Sequence, residues 1–87
     1  MPRGIHMHSR DNVCVLLENA NIGETILVPD IAPVTALENI LAPHKVAIED
    51  IDVGAEVYKY GECIGYATAL IQKGQHVHIH NVVSEKL

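Results

Sequence analysis

Phenylalanine and tryptophan are absent from this 87-residue chain, and three tyrosines are its only large aromatic side chains. A core must therefore be assembled from Ile, Val, Leu and Ala, and branched aliphatics pack best on the pleated surface of strands. Basic residues are scarce, six Lys and Arg against 11 Asp and Glu, for a net charge of −5. They form no cluster and are not interleaved with the tyrosines, which argues against nucleic-acid binding. The two cysteines, Cys14 and Cys63, sit in no CxxC motif. Two free thiols of a reducing compartment are the simpler reading, with a single Cys14–Cys63 disulfide as the alternative. No apolar run approaches the roughly 20 residues of a helical membrane span, and the N-terminus lacks the apolar stretch of a signal peptide. A cytoplasmic protein without a membrane partner is expected. The length suits one small domain, residues 1–87, whose thin core is open to support from a partner subunit or a second copy.

Histidine is plentiful by contrast. The segment His76-Val77-His78-Ile79-His80-Asn81 places three imidazoles at two-residue spacing with aliphatics between. On a strand, alternate side chains take opposite faces. The spacing thus predicts His76, His78 and His80 on one accessible face, with Val77 and Ile79 toward the core. A solvated strand face needs only Thr, Lys or Glu, so imidazoles there point to titration, metal ligation or polar substrate contact. Same-face neighbours about 7 Å apart can share an ion, whereas the outer two of three stand about twice as far apart. At most two of the three are expected on one metal. His6 and His8 repeat the spacing and read as the polar face of a further strand at residues 5–8.

Turns recur through the chain. Gly23, Pro43, Gly54 and Gly74 lie 20, 11 and 20 residues apart, and three residues after each comes Ile26, Val46, Val57 or Val77. Each unit reads as a tight turn feeding a short half-buried strand. Pro43 fixes its own φ, so its turn should differ in type from the glycine turns. The stretch 58–68 reads as a hairpin around Gly61-Glu62 with a bulge at Gly65. Residues 12–17 form a strand candidate after a turn at 9–12. Only residues 31–41 have room for a helical turn, and Pro29, Pro33 and Pro43 crowd it. The fold class is mainly β.

Taken in order, Asp11-Asn12-Val13, Pro43-His44-Lys45-Val46-Ala47, the run from Gly54 through Val57, Lys59-Tyr60-Gly61 and Ile64-Gly65, and Gly74 with Val77-His78 and His80-Asn81 resemble one family. It is the small SAF-type domain of the altronate and galactarate dehydratases, which includes the small subunit of sulfolactate sulfo-lyase. The resemblance implies a β-clip fold like that of type III antifreeze proteins. It also implies a lyase subunit that dehydrates a sugar acid to a 2-keto-3-deoxy acid, or expels sulfite in the sulfo-lyase variant. The implied partner is a large dehydratase subunit, and the implied cofactor is a divalent metal, iron or manganese. One departure is Pro43, where the family usually has glycine before the His-Lys pair.

Such chemistry calls for groups titrating near neutrality, cations for a carboxylate, and a metal. Transferred to this sequence, His44, His78 and His80 are acid–base candidates, His76 and His78 metal ligands, and Lys45, Lys59 and Asn81 substrate contacts. Two other classes of function compete. One is a non-catalytic carbohydrate- or protein-binding module of the same fold, and the other is a free-standing metal-binding protein.

Overall fold

The computed structural model describes residues 1–85, and among them there is no helix. Nine short strands run in chain order: β1 Gly4–Ile5, β2 Val13–Leu16, β3 Thr25–Ile26, β4 Val34–Thr35, β5 Lys45–Ala47, β6 Glu56–Lys59, β7 Glu62–Ala67, β8 His76–Val77 and β9 Val82–Val83. They make a four-stranded sheet ordered β1-β2-β5-β8, a β3-β4 pair and a three-stranded sheet ordered β6-β7-β9, with antiparallel neighbours throughout. The mainly β expectation holds.

Register explains how so thin a chain buries its aliphatics. In the four-stranded sheet Cys14 pairs with Val46 and Val13 with Ala47. The period-2 alternation then sends Cys14, Leu16 and Val46 to one face and Val13 and Ala47 to the other. The first set joins Ala20, Ile26, Val28, Val34, Ala36 and Ile40 in one core. The second joins Ile51, Val57, Ala67, Ile71 and Val77 in another. The central sheet is therefore buried on both faces.

The repeat read from the turns is a real duplication of backbone geometry. Ala20 and Ile40 exchange both amide hydrogen bonds, and Ile51 and Ile71 do the same 31 positions on. Gly23 N–H donates to Ala36 O, and Gly54 N–H to Ala67 O, each at 2.8 Å. The polar residues opening each unit serve these turns: Asn19 Oδ1 accepts from Ala42 N–H, and Asp50 Oδ1 from Lys73 N–H. Gly23, Gly54 and Gly74 all have positive φ, a conformation Pro43 does not adopt, so the proline turn does differ from the glycine turns. Gly74 has a second reason to be glycine. A Cβ there would collide with the backbone carbonyl oxygen of Thr35.

The Asp11-Asn12 pair ties the N-terminal part to the β6–β7 hairpin. The buried Asp11 carboxylate accepts from Tyr60 and Gly61 N–H at the hairpin tip. Asn12 accepts from Tyr58 N–H and donates to Glu56 O. Residues Tyr60 and Gly61, at φ 56° and 77°, form that tip. The bulge falls at Ile64, because Val57 pairs with Gly65 while Tyr58 pairs with Cys63.

Three sequence expectations are corrected. The strand at 5–8 stops after Ile5: His6 Nε2 bonds to Asp11 O, and His8 Nδ1 accepts from Arg10 N–H, so both rings serve a loop. Residues 31–41 hold the two-residue strand β4 and no helical turn. The strand expected over 75–80 ends at Val77, and Ile79 points outward at 83 % exposure, although Val77 is fully buried as expected.

Candidate functional site

The strand β8 is an edge strand paired with β5, Lys45 opposite Val77 and Val46 opposite His76. Continuing that register by one residue sets His44 opposite His78. His44, Val46, His76 and His78 then share a face. Val46 fills the first core, while the three imidazoles project at its margin, each half-buried. The rings of His44 and His76 stack at 4.8 Å between centroids, and those of His44 and His78 at 4.7 Å. His44 Nδ1 and His76 Nε2 lie 2.8 Å apart, within hydrogen-bond distance, the donor set by the tautomer. His80, exposed, tilts against His76 at 5.1 Å.

Side chains of the following loop fix this group. The amide of Asn81 has both ends engaged: its Oδ1 accepts from His78 N–H and its Nδ2 donates to His76 O. Asn81 N–H closes a turn onto His78 O, and Asn81 O accepts from Thr68 N–H. These bonds end the β8 ladder after Val77 and turn His78 back over His44. Glu38, which the sequence reading did not single out, accepts from His76 N–H through Oε2 at 2.9 Å. Its only sequence signal is its place as an acidic residue opening a repeat unit.

One donor atom each from His44, His76 and His78 lies within 4.8 Å of the others. Ligand nitrogens around one tetrahedral ion stand about 3.3 Å apart, given Zn–N near 2.0–2.1 Å. The rings are within 11° of parallel. Parallel rings do not converge their lone pairs, so ligation requires modest rotations about Cβ–Cγ, a soft torsion. Within that adjustment the three residues fit a metal, and the all-imidazole donor set suits zinc, iron, nickel or copper over calcium or magnesium.

The electrostatics favour the neutral form of His76 and His78. Burial first, then the neighbouring His44 and His80, lowers the pKa of His76, with Glu38 opposing. Partial desolvation, then His44 and Lys45, lowers that of His78. Lys45 is also depressed, by burial and then by Lys59. The ammonium of Lys59 sits 4.9 Å from the Tyr60 ring centroid. Of the cysteines, Cys63 is exposed and Cys14 buried, both free; burial pushes the Cys14 thiol up to about 11, which leaves it inert.

A pH dependence follows. Unfolded histidines titrate at about 6.5, and folded His76 and His78 titrate lower. Above that value both states are neutral there and the shift contributes nothing. As pH falls through it, the unfolded chain takes up protons first and stability drops. The metal-free chain should therefore melt at lower temperature at pH 5.5 than at pH 7.5. A His76→Gln, His78→Gln variant should show a smaller drop, read by thermal unfolding followed by circular dichroism.

A small all-β domain, with an imidazole cluster open at one sheet edge and lysines beside it, is the class that these features define. Residues 2–85 match the family described as the altronate/galactarate dehydratase SAF domain, and the chain belongs to that family. It is 46 % identical over 77 residues to altronate dehydratase of Escherichia coli, covering 88 % of this chain and 15 % of that protein. It is 36 % identical over 70 residues to the E. coli galactarate dehydratase (L-threo-forming), covering 80 % and 13 %. With (2R)-sulfolactate sulfo-lyase subunit alpha of Chromohalobacter salexigens it shares 42 % over 43 residues, 49 % of this chain and 46 % of that one. The chain thus spans about a seventh of the dehydratases it matches.

Proposed function

We propose that this chain is the small subunit of a cytoplasmic, metal-dependent hydro-lyase that dehydrates a sugar acid of the altronate or galactarate type to a 2-keto-3-deoxy acid. The observation that carries this reading is the convergence of His44, His76 and His78 in a member of a dehydratase domain family. In this reading the three imidazoles hold a divalent ion. Iron suits an imidazole set better than manganese, which favours carboxylate and water. When bound, the ion would supply Lewis-acid polarisation of the substrate.

The protein's own groups do the rest. Lys59 holds the substrate carboxylate, while Lys45, its pKa lowered by burial and then by the nearby Lys59 ammonium, faces the cleft beside the trio. His80, exposed beside the trio and outside it, is the imidazole this reading leaves free for acid–base work on the substrate. Asn81 acts by holding the 78–81 loop, since its amide is already engaged at both ends. A sulfo-lyase reaction, with sulfite leaving, is the second reading, supported by the match to the sulfo-lyase subunit.

A large subunit completes the site. The cavity beside the trio measures about 230 Å³, below the roughly 300 Å³ at which small-molecule pockets begin. The isolated chain should consequently show no dehydration of altronate, galactarate or sulfolactate. The same residues replacing the matched segment of E. coli altronate dehydratase should restore turnover of one of them. Turnover by the isolated chain, or an inactive but folded chimera on all three acids, would contradict the proposal and favour a non-catalytic binding module.

A further inference from the structure

Ile79 stands at the tip of a loop whose backbone is fixed by Asn81, yet it is 83 % exposed. A lone exposed isoleucine is ordinary. This one has company. The bulge in β7 removes Ile64 from the ladder and leaves it 37 % exposed, and bulges are a recurrent means of re-aiming a side chain. Ile64, Ile79 and Val82 line the 230 Å³ cavity together with Lys45, His78 and Ser84. The cleft is therefore an apolar wall facing a cation, directly beside the imidazole trio.

Its chemistry fits a protein segment better than the substrate. A polyhydroxylated acid pressed on three aliphatic side chains would leave hydroxyls unpaired, at a cost of about 1–3 kcal/mol each. The volume suits one leucine- or phenylalanine-sized side chain. The charge is complementary to an acidic neighbour. The one ion pair among the described residues is Arg3–Glu18, so Lys45 and Lys59 face no carboxylate among them despite the net charge of −5. The chain matches only 15 % of altronate dehydratase, which leaves a large polypeptide to supply such a segment.

We infer that the Ile64–Ile79–Val82 cleft receives an apolar side chain, flanked by a carboxylate for Lys45, from the large dehydratase polypeptide, and that this contact covers the imidazole trio. The inference rests on the subunit reading above and names the contact that makes it work. The occupant is the large polypeptide and not a second copy of this chain.

Thiol labelling tests this. Ile79→Cys in a Cys63→Ser background would be treated with a maleimide in the isolated chain and in the E. coli chimera. The isolated chain should label freely at every protein concentration, and the chimera at least about 10-fold more slowly because the site opens only by local dissociation. Ile22→Cys, at a 65 % exposed isoleucine outside the cleft, should label alike in both. An Ile79→Asp substitution should lower the melting temperature of the chimera and leave that of the isolated chain unchanged. Equal labelling of Ile79→Cys in both proteins would overturn the inference. So would protection in the isolated chain that grows with concentration, which would assign the cleft to a second copy. An active chimera whose Ile79→Cys thiol is unprotected sinks the contact and spares the proposed activity, whereas a protected but inactive chimera does the reverse.

Discussion

Replacing Val77 by aspartate should leave the chain unfolded at neutral pH, whereas the same replacement at Ile79, two residues on, should leave the isolated domain folded. Val77 has no exposed surface and packs with Val13, Ala47, Ile51, Val57, Ala67 and Ile71. Its loss removes about 1.5–3 kcal/mol of apolar burial, and an unpaired carboxylate in its place costs several kcal/mol more, even when it escapes by protonation. A domain of this size has only about 4–13 kcal/mol in total. At Ile79 neither penalty applies, since the side chain is 83 % exposed. Far-ultraviolet circular dichroism with urea titration distinguishes the two. A folded Val77→Asp protein would mean that the second core is not the one on which the domain depends.

That pair of residues also marks where sequence reading succeeds and where it stops. The alternation from His76 to His80 is regular, and alternation assigns Val77 and Ile79 the same face. Alternation holds only while the backbone continues to find ladder partners. Here the Asn81 side chain takes His78 N–H and His76 O, so the ladder ends after Val77 and the chain turns. The same failure occurs at His6 and His8, whose regular spacing lies in a loop because their rings bond to Asp11 O and Arg10 N–H. Asparagine beside a strand end was the available signal in the first case.

The turns were far more legible. Gly23, Gly54 and Gly74 occupy positive-φ positions that few other residues tolerate, so their spacing carried the plan of the duplication directly. What no local pattern carried is the meeting of His44 with His76 and His78. It depends on β5 pairing with β8, some thirty positions apart in sequence, and on the register that sets Val46 opposite His76. Long-range register is fixed by which faces both cores need buried, a property of the whole chain. The family motif placed His44 among the candidates as an acid–base group, and only the fold puts it within ligand distance of the other two.

On the proposed function, His44→Ala and His78→Ala should each reduce turnover by the E. coli chimera by about 100-fold or more, the scale of a lost acid–base group or metal ligand. Both should also abolish stoichiometric binding of iron or zinc by the isolated chain, measured by calorimetry, because two imidazoles without a third protein donor hold an ion poorly. Asn81→Ala should fall between these variants and the parent, with about 10- to 100-fold weaker metal binding, since it leaves the ligands in place and loosens the loop that presents them. His80→Ala should retain metal binding, as that exposed ring lies outside the group of three. His6→Ala should change neither property, since its ring is engaged at the Asp11 loop. The order of these effects is the discriminating result. If His44→Ala and His78→Ala kept full turnover in the chimera, the stacked imidazoles would be packing groups at a sheet edge, and the catalytic machinery would lie wholly in the E. coli portion.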